Sequence, residues 1–107
     1  MHTMYVHLGM HELRFEWDPA KADANERKHG VSFEEASTVF SDDHAILIDD
    51  PDHSDDEDRF ILLGLSANLR TLVVCHVCRT AEDVIRLISA RKATKRERAE
   101  YARGWEP

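Results

Sequence analysis

The patterned segments of this chain predict an α+β fold: an antiparallel sheet of about five strands with two N-terminal helices and one C-terminal helix, in the order β-α-α-β-β-β-β-α. Three observations carry that prediction. Helix-capping residues punctuate the stretch from Asp18 to Phe40 and return at Thr94. Four runs rich in aliphatic and β-branched residues fill the stretch from Ala45 to Arg91. The segments 67–70 and 80–83 between the later runs are short enough to force antiparallel hairpins.

Leu13 to Trp17 (LRFEW) alternates apolar and polar residues, as a half-buried strand does. Asp18 is a natural N-cap, and Pro19 sits at the first helical position, where its missing N–H costs nothing. That helix is expected to run to about His29 and to stop at Gly30, a residue suited to the left-handed C′ position. Ser32-Phe33-Glu34-Glu35 has capping-box spacing, with Glu35 expected to reach back to Ser32 and Val31 placed as a staple. It opens a second short helix to about Phe40. Strands are expected over 45–49, 59–66, 72–79 and 84–91, and Thr94-Lys95-Arg96-Glu97 is a second capping box that starts the last helix. Residues 1–12 are expected to be a disordered extension, with Met10 as an alternative start, and residues 13–107 a single domain.

A chain of 107 residues supports one modest core. Charged residues make up 33% and aromatics 7%, so that core must be aliphatic under a charge-crowded surface. The formal charge is −7, but its distribution is uneven. Asp49, Asp50, Asp52, Asp55, Asp56, Glu57 and Asp58 crowd one segment, which lacks the glycine and the alternating ligands of a calcium loop and is expected to be solvated. Arg86, Arg91, Lys92, Lys95, Arg96, Arg98 and Arg103 give the last quarter a local charge of about +5, the footprint of contact with phosphate. No apolar stretch approaches the ~20 residues of a membrane span, and the N-terminus lacks a signal-peptide pattern, so a cytoplasmic protein is expected.

The segments FEWDPAKADANERKHGVSFEEASTVF, DDPDHSDDEDRFILLGLS, LVVCHV and IRLISARKATKRERAEY, in that order and spacing, closely resemble the BrnT toxins of bacterial type II toxin–antitoxin systems. The resemblance covers about residues 13–103. It implies a RelE-like fold, an endoribonuclease that cleaves RNA and inhibits translation, and neutralisation by a BrnA-like ribbon-helix-helix antitoxin. Operator DNA would be bound only through that antitoxin, and a homodimer could form within the complex. The N-terminal extension, the cysteines of the third run and the strongly acidic loop depart from the pattern.

Metal-free RNA cleavage needs proton transfer at the 2′-hydroxyl and the 5′-oxygen, and charge stabilisation at phosphorus. Histidine suits the first task and the forked guanidinium of arginine the second. The candidate catalytic residues are therefore His76, Arg59, Arg79, Arg86 and Arg91, all on or beside strands. Arg86, between Ile85 and Leu87, is the clearest case of a charge that needs a reason. In a regular strand Arg86 and Arg91 would point to opposite faces, since their separation is odd. His76 shares its parity with Leu72 and Val74, so a core histidine is an equal reading. The alternative role is an ion pair with the acidic segment for Arg59, Arg86 and Arg91, and ordinary surface for Arg79.

Lys21 and Lys28, on one helix stripe with Asn25, and Lys92, Lys95 and Arg96 further on are candidate RNA contacts or simply a solvated surface. Cys75 and Cys78 are separated by three positions on a strand, so their sulfurs should diverge, and no second pair completes a zinc site. No metal or cofactor is expected. Two other classes stay open: an inactive antitoxin-binding module, and a DNA-binding regulator built on the two helices that meet at Gly30. Consecutive apolar positions at 61–63 and 72–74 ask for cover on both sheet faces. Three short helices are not expected to provide it, which would leave an apolar patch for the antitoxin or a second copy.

Overall fold

The computed structural model of the chain describes residues 2–8, 11–49, 59–79 and 84–104. Its strands are β1 (His2–Leu8), β2 (His11–Trp17), β3 (Ile46–Asp49), β4 (Arg59–Leu65), β5 (Thr71–Arg79) and β6 (Val84–Lys92). Helices α1 (Pro19–His29) and α2 (Phe33–Thr38), with a 3-10 turn over Val39–Ser41, lie between β2 and β3 in the chain, and α3 (Lys95–Arg103) follows β6. The six strands form one sheet in the order β1-β2-β6-β5-β4-β3. The α+β class is as the sequence predicts, with two differences. Residues 2–8, expected to lack structure, form a strand paired antiparallel with β2 from His2↔Trp17 to Leu8↔His11. The sheet is also mixed, because β2 runs parallel to β6 over Arg14↔Val84, Phe15↔Ile85 and Glu16↔Arg86. A pairing between segments so distant in sequence has no local signature, unlike the β4–β5 hairpin. The acidic segment beyond Asp49 and the 80–83 connection lie outside the described residues.

Capping follows the sequence closely. The Asp18 side chain accepts from Ala20 N–H, and Gly30 ends α1 at φ 69°. At α3 the Thr94–Glu97 capping box is complete in both directions. At α2 only half forms: Ser32 Oγ accepts from Glu35 N–H at 3.1 Å, but the Glu35 carboxylate turns away. It pairs with Arg70 and accepts from Ser66 Oγ at 2.8 Å, tying α2 to the β4–β5 turn. A guanidinium is a stronger partner for a carboxylate than a backbone N–H, and this pull overrides the local motif.

Each face of the sheet has its own core. On one, Phe15, Trp17, Leu62, Leu72, Val74, Ile85, Leu87 and Ala90 pack with Val31, Phe33, Ala36 and Val39 from the α1–α2 region. On the other, Leu63, Val73 and Ala93 pack with Tyr101 of α3, flanked by Ile46, Ile61 and Leu65. The consecutive apolar positions are thus explained by two clusters, and Leu62, Leu63, Val73 and Val74 are all buried by the chain itself. The apolar sheet-face patch expected for a partner is not present at these strands. Among the described residues the exposed large apolar side chains are Leu47, Ile48 and Leu69. Most of α2 is buried as well (Phe33, Glu35, Ala36 and Ser37), so it cannot be laid into a DNA groove as a recognition helix.

Candidate functional site

The site is set by one irregularity in β6. Cys75 pairs with Ser89 and His76 with Leu87, so Ile88 is an extra residue on β6, a β-bulge. Before it, Ile85 and Leu87 face the α1–α2 cluster; after it, Ala90 does. The bulge shifts the alternation by one, and it brings Arg86 and Arg91 to the same face despite their odd separation.

That face carries a row of charged residues. Arg59 on β4 is opposite Val77 on β5, which is opposite Arg86 on β6, which is beside Glu16 on β2. Strand alternation agrees, because Ile61 and Leu63 belong to the α3-side cluster while Phe15, Ile85 and Leu87 belong to the opposite one. Arg14 is on the same side of β2, next to Val84. Arg14, Glu16, Arg59 and Arg86 are all half-buried. Arg86 makes no side-chain hydrogen bond or ion pair with any described residue, whereas Arg14, Glu16 and Arg59 each make a contact. Arg79 ends β5 opposite Val84.

Two other candidates stand apart from the row. His76 is 3% exposed, on the α1–α2 face, with its ring edge-on to Phe40 at 4.8 Å. Burial pushes its pKa below the ordinary 6.5, which leaves a neutral imidazole in the core on the opposite side of the sheet from Arg86. Arg91 pairs with Val73, four residues along β5 from Val77. That is a separation of roughly 13 Å along the strand. Its guanidinium grips Glu97 of α3 with two bonds of 2.8 and 2.9 Å, fastening α3 to the sheet.

Arg91 and the N-terminal backbone of α3 hold the Glu97 pKa down from 4.5 to about 2. A carboxylate with a depressed folded pKa stabilises the fold above its unfolded pKa, and that contribution is lost as pH falls from about 4.5 toward 2. Glu97→Gln should therefore cost about 1–2 kcal/mol at pH 7, after discounting for its partial exposure, and less at pH 3. Urea melts of both proteins across this range check the prediction; an equal loss at both pH values would contradict it.

Among the candidate RNA contacts, Lys21, Lys28, Lys92, Lys95 and Arg96 are all exposed, with Arg96 3.7 Å from Glu100. Asn25, expected to share the stripe of Lys21 and Lys28, is buried instead and bonds to Val31 and Ala90. Cys75 and Cys78 are not joined in a disulfide, and alternation sends them to opposite faces. Among the described residues no three His, Cys, Asp or Glu side chains are grouped as metal ligands would be, and no helix is long and apolar enough to cross a membrane. Sequence reasoning missed Arg14 and Glu16. The polar positions of LRFEW flag them as off the core face, but only the parallel pairing to β6 puts them beside Arg86.

The family signature of the ribonuclease toxin BrnT, of type II toxin–antitoxin systems, matches residues 17–97, about three quarters of the chain. The chain belongs to the BrnT family. A comparison with curated proteins gave no match. The BrnT match takes in Arg59, Arg79, Arg86 and Arg91 and the whole bulged β6 strand, while β1 and most of β2 and α3 lie outside it. Membership makes the chain a ribonuclease toxin at the level of the family, and an antitoxin partner follows from the type II class.

Proposed function

We propose that this BrnT-family chain is a metal-independent endoribonuclease that cleaves RNA and thereby inhibits translation in the cytoplasm. A BrnA-like ribbon-helix-helix antitoxin neutralises it and carries the complex to operator DNA. The observation that carries this reading is Arg86, a half-buried guanidinium without a described partner, flanked by Arg59 and Arg14 on one sheet face. An arginine placed this way is free to bond two oxygens of a phosphodiester and to stabilise the charge that builds on phosphorus. Lys92, Lys95 and Arg96 extend positive charge beyond the sheet and suit the flanking RNA backbone.

Expression without antitoxin should arrest growth with loss of RNA. Harmless expression would instead favour an inactive antitoxin-binding module. With the purified chain, cleavage should survive EDTA and leave a 2′,3′-cyclic phosphate or its opened 3′-phosphate. Activity abolished by EDTA and restored by Mg²⁺ would overturn the metal-independent mechanism.

A further inference from the structure

Arginines stabilise charge but do not take a proton at neutral pH, and His76 is in the core on the far side of the sheet. The arginine row therefore needs another base for the 2′-hydroxyl. We infer that Glu16 is the general base of the RNA cleavage proposed above, an inference that rests on that reading. Glu16 is in parallel register with Arg86. Adjacent strands are about 4.8 Å apart, so a carboxylate and a guanidinium at these positions can reach the ribose and the phosphate of one nucleotide. Its neighbours Phe15 and Trp17 are buried in the α1–α2 cluster, which turns Glu16 to the face of the arginines. Glu16 has a contact of its own; among the other described carboxylates, Glu35 is bound to Arg70, Glu97 to Arg91, and Asp42 to Leu65 N–H and Tyr101 Oη–H.

In the step itself the Glu16 carboxylate takes the 2′-O–H proton and the 2′-oxygen bonds to phosphorus. The P–O5′ bond breaks, and its electron pair leaves on the 5′-oxygen, which takes a proton from solvent water. The products are a 2′,3′-cyclic phosphate and a 5′-hydroxyl, and Glu16 returns its proton to solvent. Facing Glu16 are Arg14 on its own strand, Arg86 on β6 and the uncharged Thr3 on β1.

The test is single-turnover cleavage of a short RNA by wild type, Glu16→Gln, Glu16→Asp and Arg86→Ala across pH 4–8. A filter-binding assay with a 2′-deoxy, uncleavable oligonucleotide runs alongside. Glu16→Gln should slow cleavage by about 10²–10⁴ while binding holds. It should also abolish the acid limb of the pH–rate profile, the rise in rate as a carboxylate ionises. Glu16→Asp keeps a carboxylate, so it should retain the limb at a reduced rate; it also decides the matter if Glu16→Gln fails to fold. Wild-type rate and acid limb in Glu16→Gln, with Arg86→Ala inactive, would overturn the assignment of Glu16 and leave the ribonuclease reading standing. A wild-type chain that cleaves no RNA would overturn both.

Discussion

Arg86→Ala is expected to reduce RNA cleavage by about 10²–10³, the usual cost of deleting one preorganised donor to a developing oxyanion. The fold should tolerate it. The Arg86 side chain makes no hydrogen bond or ion pair with a described residue, and its cross-strand neighbour Val77 remains buried between β4 and β6. Arg86→Lys should recover only part of the activity, because an ammonium is a point charge and cannot bond two phosphate oxygens in one plane. Growth inhibition and cleavage by each variant, with thermal melts alongside, give the answer. Full toxicity of Arg86→Ala would place the site elsewhere, and a collapsed melt would make Arg86 a structural residue.

The largest effect on stability is expected at Asn25. Its Nδ2 donates to Val31 O at 3.0 Å and to Ala90 O at 2.8 Å, while Ala90 N–H donates to its Oδ1 at 3.1 Å. The last two bonds reproduce strand pairing. β2 accompanies β6 only over Val84, Ile85 and Arg86, so beyond the bulge that edge of β6 has no neighbouring strand among the described residues. The Asn25 amide takes its place and fixes α1 to the sheet. Asn25→Ala would leave buried backbone groups unpaired, at about 1–3 kcal/mol each when not rescued by water. We expect a net loss of about 3 kcal/mol, or roughly 12–20 °C in Tm for a domain of this size. Asn25→Asp should be no better, since it keeps the acceptor for Ala90 N–H but sets a carboxylate against two carbonyl oxygens. A Tm within a few degrees of wild type for Asn25→Ala would show that the clamp is dispensable.

Much of the fold was legible because its signals are local. Asp18, Pro19 and Gly30 mark the ends of α1 through backbone chemistry that needs no distant partner, and Thr94 with Glu97 does the same for α3. The four later strands were readable from aliphatic runs and short connections. β1 was missed although Met4, Val6 and Leu8 alternate, because a short mixed run has no meaning until β2 offers an edge. Glu35 was misassigned for a related reason: the capping-box pattern is local, but Arg70, which outbids it, is 35 positions away.

For the site, the sequence by itself determined which residue types were available: strand-borne arginines, a basic C-terminal quarter and one histidine among apolar neighbours. The tertiary structure decided which of them meet. The single extra residue Ile88 reverses the alternation of β6 and turns Arg86 and Arg91 to one face. Register alone puts Arg59 and Glu16 in the row of Arg86 and gives Arg91 to Glu97, while unbroken alternation along β5 keeps His76 in the opposite core. The physical reason is that side-chain direction in a sheet has a period of two. One bulge or one non-local pairing therefore reassigns every residue beyond it, and neither is written in the neighbouring residues.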